Sequence, residues 1–459
     1  MIGARRQLVL SLIMCIEALA SSPKHVMFAF VDHFEPTSPV PDDEVRMWVD
    51  DYIAMASRHV DADRRHPIHS YFLISHIQPD RVQAALIKLN QATYAGYGEV
   101  EFHCHHGVQD EGKRSEKEAT DELLVKILQA KSYFNMQGAL VTAEPVPRFT
   151  FGFIHGMWAL DNSRLEKWPD PSNPHRAWCG VNRELELLGR QGAYADFTFP
   201  AWGSMEPHIE DAIFYASDDN MPASYQDRAN VRLVEVGQPP RGDLMIVEGP
   251  HENTNIGVKP GEYKNWPNMS RMHEWVAHNV HVIGNDDWIF IKVHTHGLAG
   301  DVANPLTWEC FFGSTMDRFY SEVERYYNDG IDWKLHYVSA REMYNIIKAA
   351  EAGRTGDPGA YRDFLIPPYA NMVILTANSY RLDTYEAGTV ILEMLDTSAP
   401  VDVSLKGFSV DAGVVESEDP AGPWQSSDAT QEPGQFGELH ILDTTPSRYY
   451  CIVSPMGQS

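Results

Sequence analysis

"IHSYFLISHIQPDRVQAALIKLNQATYAGYGEVEFHCHHG", residues 68–107, decides the fold class. It opens on an apolar run of strand length, "IHSYFLI" (68–74). "PDRVQAALIKLNQA" (79–92) follows as a helix, with a proline at its start, where a missing N–H does no harm. "GEVEFHC" (98–104) is a second strand, and histidines crowd its end. A strand, a helix and another apolar strand make a βα repeat, the building block of a parallel sheet covered by helices.

The alternation extends in both directions. Upstream, "HVMFAFV" (25–31) reads as a buried strand and "VRMWVDDYIAMASRHV" (45–60) as a helix. Downstream, Ser115 and Glu118 form a capping box for a helix over 116–137 that Gly138 ends. Strands are expected at 148–154, 193–199, 243–249 and 288–294, and helices at 182–192 and 340–353. The stretch 200–242 is rich in Pro, Asp and Asn and reads as an irregular insertion or lid. No internal repeat is visible. The pattern fits either a barrel or a doubly wound sheet.

After Gly353 the composition changes. Residues 354–368 read as a linker, and beyond them short β-type runs such as "TVILEML" and "RYYCIVS" alternate with Gly, Pro, Ser and Asp. The expected division is an α/β domain over 22–355 and a small all-β, sandwich-like module over 356–459. Residues 1–21 have the layout of a secretory signal peptide: Arg5 and Arg6, the apolar run Leu8 to Ile16, then Ala18-Leu19-Ala20. Glu17 is the discordant residue, and a short helix ahead of the first strand is the competing reading. The expectation is a periplasmic or secreted protein, cytoplasmic if 1–21 is not a signal.

The chain has 459 residues, 37 Lys and Arg against 64 Asp and Glu, and a formal net charge of −27. Such a surface repels phosphate backbones, so nucleic acid is set aside as a partner. Apolar residues make up 43 % of the chain, enough for a sizeable core. No run reaches the roughly 18–20 apolar residues of a membrane span. The five cysteines are scattered without a CxxC pair, which argues against a disulfide framework or a Cys-rich zinc knuckle. Cys104 alternates with His103 and reads as packing.

Four strand ends carry the chemistry, on the edge where α/β sheets and barrels build their sites. In "FAFVDHFEP", Asp32 and His33 follow the strand and Glu35 comes two residues on. An Asp there serves as a metal ligand or general base, against a turn-forming Asp with a surface His. In "EFHCHHG", His103 and His105 share a strand face, and His106 can turn inward if the strand stops at His105. Three imidazoles so close are hard to explain as packing, and imidazole is the commonest ligand for zinc-like ions. In "GFIHGMWALDNS", His155 ends a strand, Trp158 offers a wall for a sugar ring, and Asp161 and Asn162 offer hydrogen bonds to hydroxyls. A core Trp with a capping turn explains that segment equally well. In "IKVHTHG", His294 and His296 again share a face. Asp196, Glu248 and His251 are further strand-end residues, read as turn chemistry or a surface pair. There is no G-x-S-x-G elbow, P-loop, G-x-G-x-x-G or HExxH.

In order and character, these loops resemble the polysaccharide deacetylases of the NodB-homology family. "FAFVDH" looks like that family's first motif, "YGEVEFHCHH" its histidine motif and "IKVHTH" its late motif, with "LHYVSAREMYNIIKA" as the closing strand and helix; the likeness runs over residues 24–353. The resemblance implies a distorted (β/α) barrel of seven or eight units and a divalent metal, Zn2+ before Co2+, Ni2+ or Mn2+. It implies removal of acetyl groups from amino sugars in a polysaccharide or oligosaccharide. Asp32 then matches the general base, His103 the first metal histidine and His294 the general acid. His33 falls where the family has a metal-binding aspartate, unless Glu35 bends back to take that role. Gly107 occupies the position of the second metal histidine, so His105 or His106 must substitute. The family's Arg-x-Pro motif is replaced by "FIHGMW". The expected site is therefore Asp32 and His294 as catalytic residues, His33, His103, His105 and His106 as ligands, and His155, Trp158, Asp161, Asn162 and His296 toward the sugar. Two other functions stand beside it: a glycoside hydrolase pairing Glu248 with Asp32, and a non-catalytic carbohydrate-binding or assembly protein.

Overall fold

A computed structural model describes residues 22–36, 42–74, 79–105, 116–136, 141–142, 149–163, 180–201, 203–252, 254–257, 265–298 and 305–368, together with short strands between 380 and 453. The proposed signal peptide, His106 and the Ser115 cap lie outside these residues. Among the described residues, no helix is long and apolar enough to cross a membrane.

The expected alternation is present. Strand β1 (Lys24–Phe34) is followed by α1 (Asp42–Ala56), β2 (His69–Ile74), α2 (Pro79–Tyr94), β3 (Gly98–Cys104) and α3 (Glu116–Met136). After the two-residue β4 (Val141–Thr142) come β5 (Phe149–His155), α4 (Glu184–Gln191) and β6 (Ala193–Asp196). Gly192 closes α4 at φ 99°, a left-handed position that glycine adopts without a Cβ penalty. β1, β2, β3, β5 and β6 pair in that order, all parallel.

One expectation needs correction. Residues 200–242 are not irregular throughout: they contain β7 (Ile213–Ala216) and β8 (Val231–Leu233). β7 runs antiparallel to β9 (Leu244–Val247) and β8 antiparallel to β7, which makes the sheet mixed. Strands of four and three residues are too short to show a period against a polar background.

Beyond α5 (Met269–His278), β10 (Trp288–Thr295) lies parallel to β1 on one edge. The other edge of β1 is shared: β11 (Trp333–Val338) pairs with its first half and β2 with its second. Helices α6 (Pro305–Phe311) and α7 (Ser314–Tyr327) lead into β11, and α8 (Ala340–Glu351) follows it. α8 begins at a reciprocal capping box between Ser339 and Glu342.

The eleven strands do not close into a barrel by their ladders. Among the described residues, the segment after β9 meets β10 at a bridge between Asn255 and His294. There Ile256 donates to the carbonyl of His294 at 2.8 Å, and His294 donates to that of Thr254 at 3.0 Å.

Strand alternation gives the sheet two apolar faces. Phe28, Phe30 and Phe34 of β1 join Trp48, Leu86, Leu123 and Trp275 on the helix-covered side. Met27, Ala29 and Val31 join Phe72, Ile154, Phe290 and Ile347 on the other. In the tail, eight strands form a five-stranded and a three-stranded antiparallel sheet, the β-rich content expected there.

Candidate metal centre

Period-two alternation decides which strand-end groups meet. Val31 lies on the inner face of β1, so His33 follows it there. On β3, Phe102 and Cys104 take the helix side, which leaves His103 inside. On β10, Val293 takes the helix side and His294 the inner one. The rings accordingly gather around His33, whose centroid lies 5.0 Å from that of His103, 4.4 Å from His296 and 6.0 Å from His294.

Glu35 closes the group. Its backbone N–H donates to the carbonyl of Gly297 at 3.0 Å, tying the end of β1 to the end of β10. Its Oε1 lies 3.0 Å from Nε2 of His103 and 3.0 Å from Nε2 of His105. Burial opposes ionisation of Glu35; a proton or a cation at the facing Nε2 atoms of His103 and His105 reverses this and holds the carboxyl well below its ordinary range. Burial, then the neighbouring His296, His103 and His294, holds His33 well below the usual histidine value. The cluster thus presents a carboxylate and a neutral imidazole, the forms that ligate metals.

The residues fit a divalent ion on their own geometry. Nδ1 of His103 is 3.0 Å from the carbonyl oxygen of Ile154, which can only accept, so Nδ1 carries the hydrogen. In the neutral ring, Nε2 is then a bare lone pair facing Glu35 Oε1. Two acceptors 3.0 Å apart need a proton or a cation between them. Nε2 of His33, fully buried, has no hydrogen-bond partner among the described residues. Ligand atoms of His33, Glu35 and His103 all lie within 4.8 Å of one another. One carboxylate and two or three imidazoles suit Zn2+ and its borderline neighbours. His105 sits against Gly156, where any Cβ would overlap its ring.

Other expected site residues are placed differently. Asp32 points to the helix side and is fully buried. Its Oδ2 accepts from Nε2 of His69 at 2.7 Å and its Oδ1 from the N–H of Gly297 at 2.5 Å. Both oxygens are engaged, which ties the end of β1 to β2 and to the segment after His296. His155, Asp161 and Asn162 are buried. Nδ1 of His155 donates to the Gly156 carbonyl at 2.5 Å, and its Nε2 lies 3.4 Å from Glu184. Oδ2 of Asp161 accepts from the N–H of Ser224 at 2.6 Å, while Asn162 donates to Asn182 at 2.7 Å. These three hold the loop. That loop is strained: Met157, Trp158, Asp161 and Asn162 have φ of 62°, 54°, 54° and 52°. Left-handed non-glycine residues cluster at functional sites.

Trp158 is half-buried, its ring 5.9 Å from His296 and 6.5 Å from His33, so it does border the centre. His294 approaches Thr254, with Nδ1 3.5 Å from the hydroxyl. Glu248, the proposed glycosidase partner of Asp32, lies beside Glu206 and His251. Sequence reasoning missed His69, which meets Asp32 only through the β1–β2 register, and Glu184, which meets His155 only through the path of α4.

No family model matches the chain, and no curated protein matches it. Among solved structures, an alpha-mannosidase from Enterococcus faecalis V583 aligns with a TM-score of 0.29 and 9 % identity, over 94 % of this chain and 55 % of its own. A protein in glycosyl hydrolase family 38 from Enterococcus faecalis aligns with a TM-score of 0.28 and 10 % identity, over 96 % and 55 %. The chain spans about half the length of both structures. Likeness at this level does not by itself assign a fold or an activity.

Proposed function

We propose that this chain is a divalent-metal-dependent hydrolase acting on carbohydrate, with the N-acetyl group of an amino sugar as the first bond to test and the glycosidic bond as the second. The observation that carries the metal is the convergence of His33, Glu35 and His103, with a buried Nε2 that has no partner among the described residues and two facing acceptors. The carbohydrate part rests on the sequence motifs and on a half-buried Trp158 bordering the centre.

His33, Glu35 and His103 would hold the ion, with His105 joining through its contact to Glu35. When bound, a divalent ion supplies Lewis-acid polarisation of the scissile group's oxygen. His294 and His296 are the proton carriers, since both rings border His33 and neutral imidazole can accept or give a proton near neutral pH. Asp32 and His69 fix the backbone of Gly297 and with it the place of His296. Trp158 offers a ring face to the sugar.

The test is release of acetate, and separately of reducing ends, from N-acetylated oligosaccharides by untagged protein stripped and reloaded with Zn2+. Acetate release that depends on Zn2+ supports deacetylation, and new reducing ends support glycoside hydrolysis. Protein that takes up no divalent ion would sink the metal reading, and a metal-loaded protein that releases neither product would sink the hydrolase reading.

A further inference from the structure

A second group of metal-type ligands stands apart from the His33 cluster. Glu248 follows β9 directly, His251 lies three residues on, and Glu206 comes from the turn after Gly203–Met205. Glu248 is 0 % exposed and Glu206 8 %. Each carboxylate has its outer oxygen held by the backbone. Oε2 of Glu248 accepts from the N–H of Ala212 at 3.2 Å, and Oε2 of Glu206 from that of Ala201 at 2.5 Å. The N–H of His251 is held by Oδ1 of Asp211 at 2.8 Å. These bonds aim the three remaining atoms, Oε1 of Glu206, Oε1 of Glu248 and Nδ1 of His251, at a common point.

None of those three buried atoms is bonded to a fixed donor or acceptor among the described residues; the two carboxyls face each other and could meet only through a shared proton or a cation. Nδ1 of His251 lies 3.3 Å from Oε1 of Glu206 and 3.5 Å from Oε1 of Glu248. That spacing is instructive. Ligands at about 2.1 Å from a tetrahedral ion are separated by about 3.4 Å, the edge of the tetrahedron. Unsatisfied buried carboxylate oxygens are costly, and a native fold keeps them only where something compensates. The backbone bonds to the outer oxygens are the kind of support that orients metal ligands. The His251 side chain is 26 % exposed, which gives an ion a way in.

We propose that Glu206, Glu248 and His251 form a second divalent-cation site, selective for Zn2+-like ions, that pins the β7–β9 extension of the sheet. The competing account is a proton shared between the two carboxyls. Burial and the neighbouring Glu206 raise Glu248 to about 10, which is the state expected of the ion-free pair. A metal at this place displaces that proton.

The experiment is Zn2+ stoichiometry by elemental analysis, with Zn2+ titration of chelator-stripped full-length protein. The variants are His251→Ala, Glu248→Gln and His103→Ala, each checked for fold by circular dichroism. Loss of an outer-shell partner alone costs metal affinity about 10–100-fold, so loss of a direct ligand should weaken one Zn2+ by at least about 100-fold. His251→Ala and Glu248→Gln should each lose one ion relative to wild type while His103→Ala retains it. Zn2+ should raise the melting temperature of His103→Ala but not of the double variant with His251→Ala. If the His33 cluster binds nothing, wild type still takes up one ion and His251→Ala none, so the two sites fail independently. Folded Glu248→Gln and His251→Ala with unchanged Zn2+ uptake would overturn the proposal in favour of the shared proton.

Discussion

Two kinds of buried polar network in this molecule invite comparison. One joins the start of β3 to α8 and the segment behind it. Arg341 donates to Glu99 at 2.7 and 3.1 Å and to Asp363 at 2.7 Å. Arg362 reaches Glu342 at 3.0 Å, Asp61 at 2.9 Å and Asp63 at 2.9 Å. Every charge there faces an opposite one. Against it stand the two separate clusters at the far ends of β1 and β3 and after β9. They leave Nε2 of His33, Oε1 of Glu206, Oε1 of Glu248 and Nδ1 of His251 without hydrogen bonds among the described residues, whereas in the first network Arg362 Nε is the one such atom, on a guanidinium whose other nitrogens are all paired. Burial alone therefore does not mark function. A network of paired charges holds the fold, whereas clusters with unpaired ligand atoms are where the proposed ions would bind.

The largest effect expected from this contrast is in the His33 cluster. His103→Ala should remove one bound ion and bring turnover to background while leaving the melting temperature of the ion-free protein nearly unchanged. A full loss of stability instead would make His103 part of the structural network. In the compensated network the reverse should hold. Arg341→Met leaves Glu99 buried without its cation and should cost about 3–5 kcal/mol in urea unfolding. Adding Glu99→Gln should recover part of that, and no recovery would mean that the pair is not the unit.

A third variant probes the boundary between the two kinds of network. His69→Gln loosens Asp32 and the Gly297 backbone, without touching a ligand. Misplacement of a reacting group by about 1 Å costs roughly 100-fold, so turnover should fall by about that much at constant Zn2+ content. Unchanged turnover would confine Asp32 to folding.

The smallest effect is a slope. Burial holds His155 down from 6.5 to about 3. The unfolded chain therefore takes up a proton that the folded chain refuses, and stability is lost as pH falls from 6.5 toward 3. The loss is at most about 1.4 kcal/mol per pH unit. His155→Gln should flatten that dependence in denaturant midpoints measured between pH 7 and pH 4, and an identical slope would remove His155 from the account.

Much of the α/β region was legible before any coordinates. The βα alternation over 24–104 and the strand ends at His103 and His294 follow from apolar periodicity, because local pattern is written in consecutive residues. Cys104 behaves as read. It is buried in the helix-side core, and its thiol is pushed up to about 12 by that burial. Short antiparallel strands such as β7 and β8 carried too little pattern to find.

The sequence by itself determined that histidines and carboxylates stand at the ends of apolar parallel strands, and that His103 and His105 share a strand face. Only the tertiary structure decided which of them meet. Glu35 reaches His103 and His105 because Gly297 holds its backbone. Asp32 turns to His69 because β1 and β2 pair in one register. Glu206 and Glu248 converge on His251 because β7 folds back on β9. Loops have no period, so their meeting points are fixed by strand register and chain path, and those are properties of the packed sheet rather than of neighbouring residues.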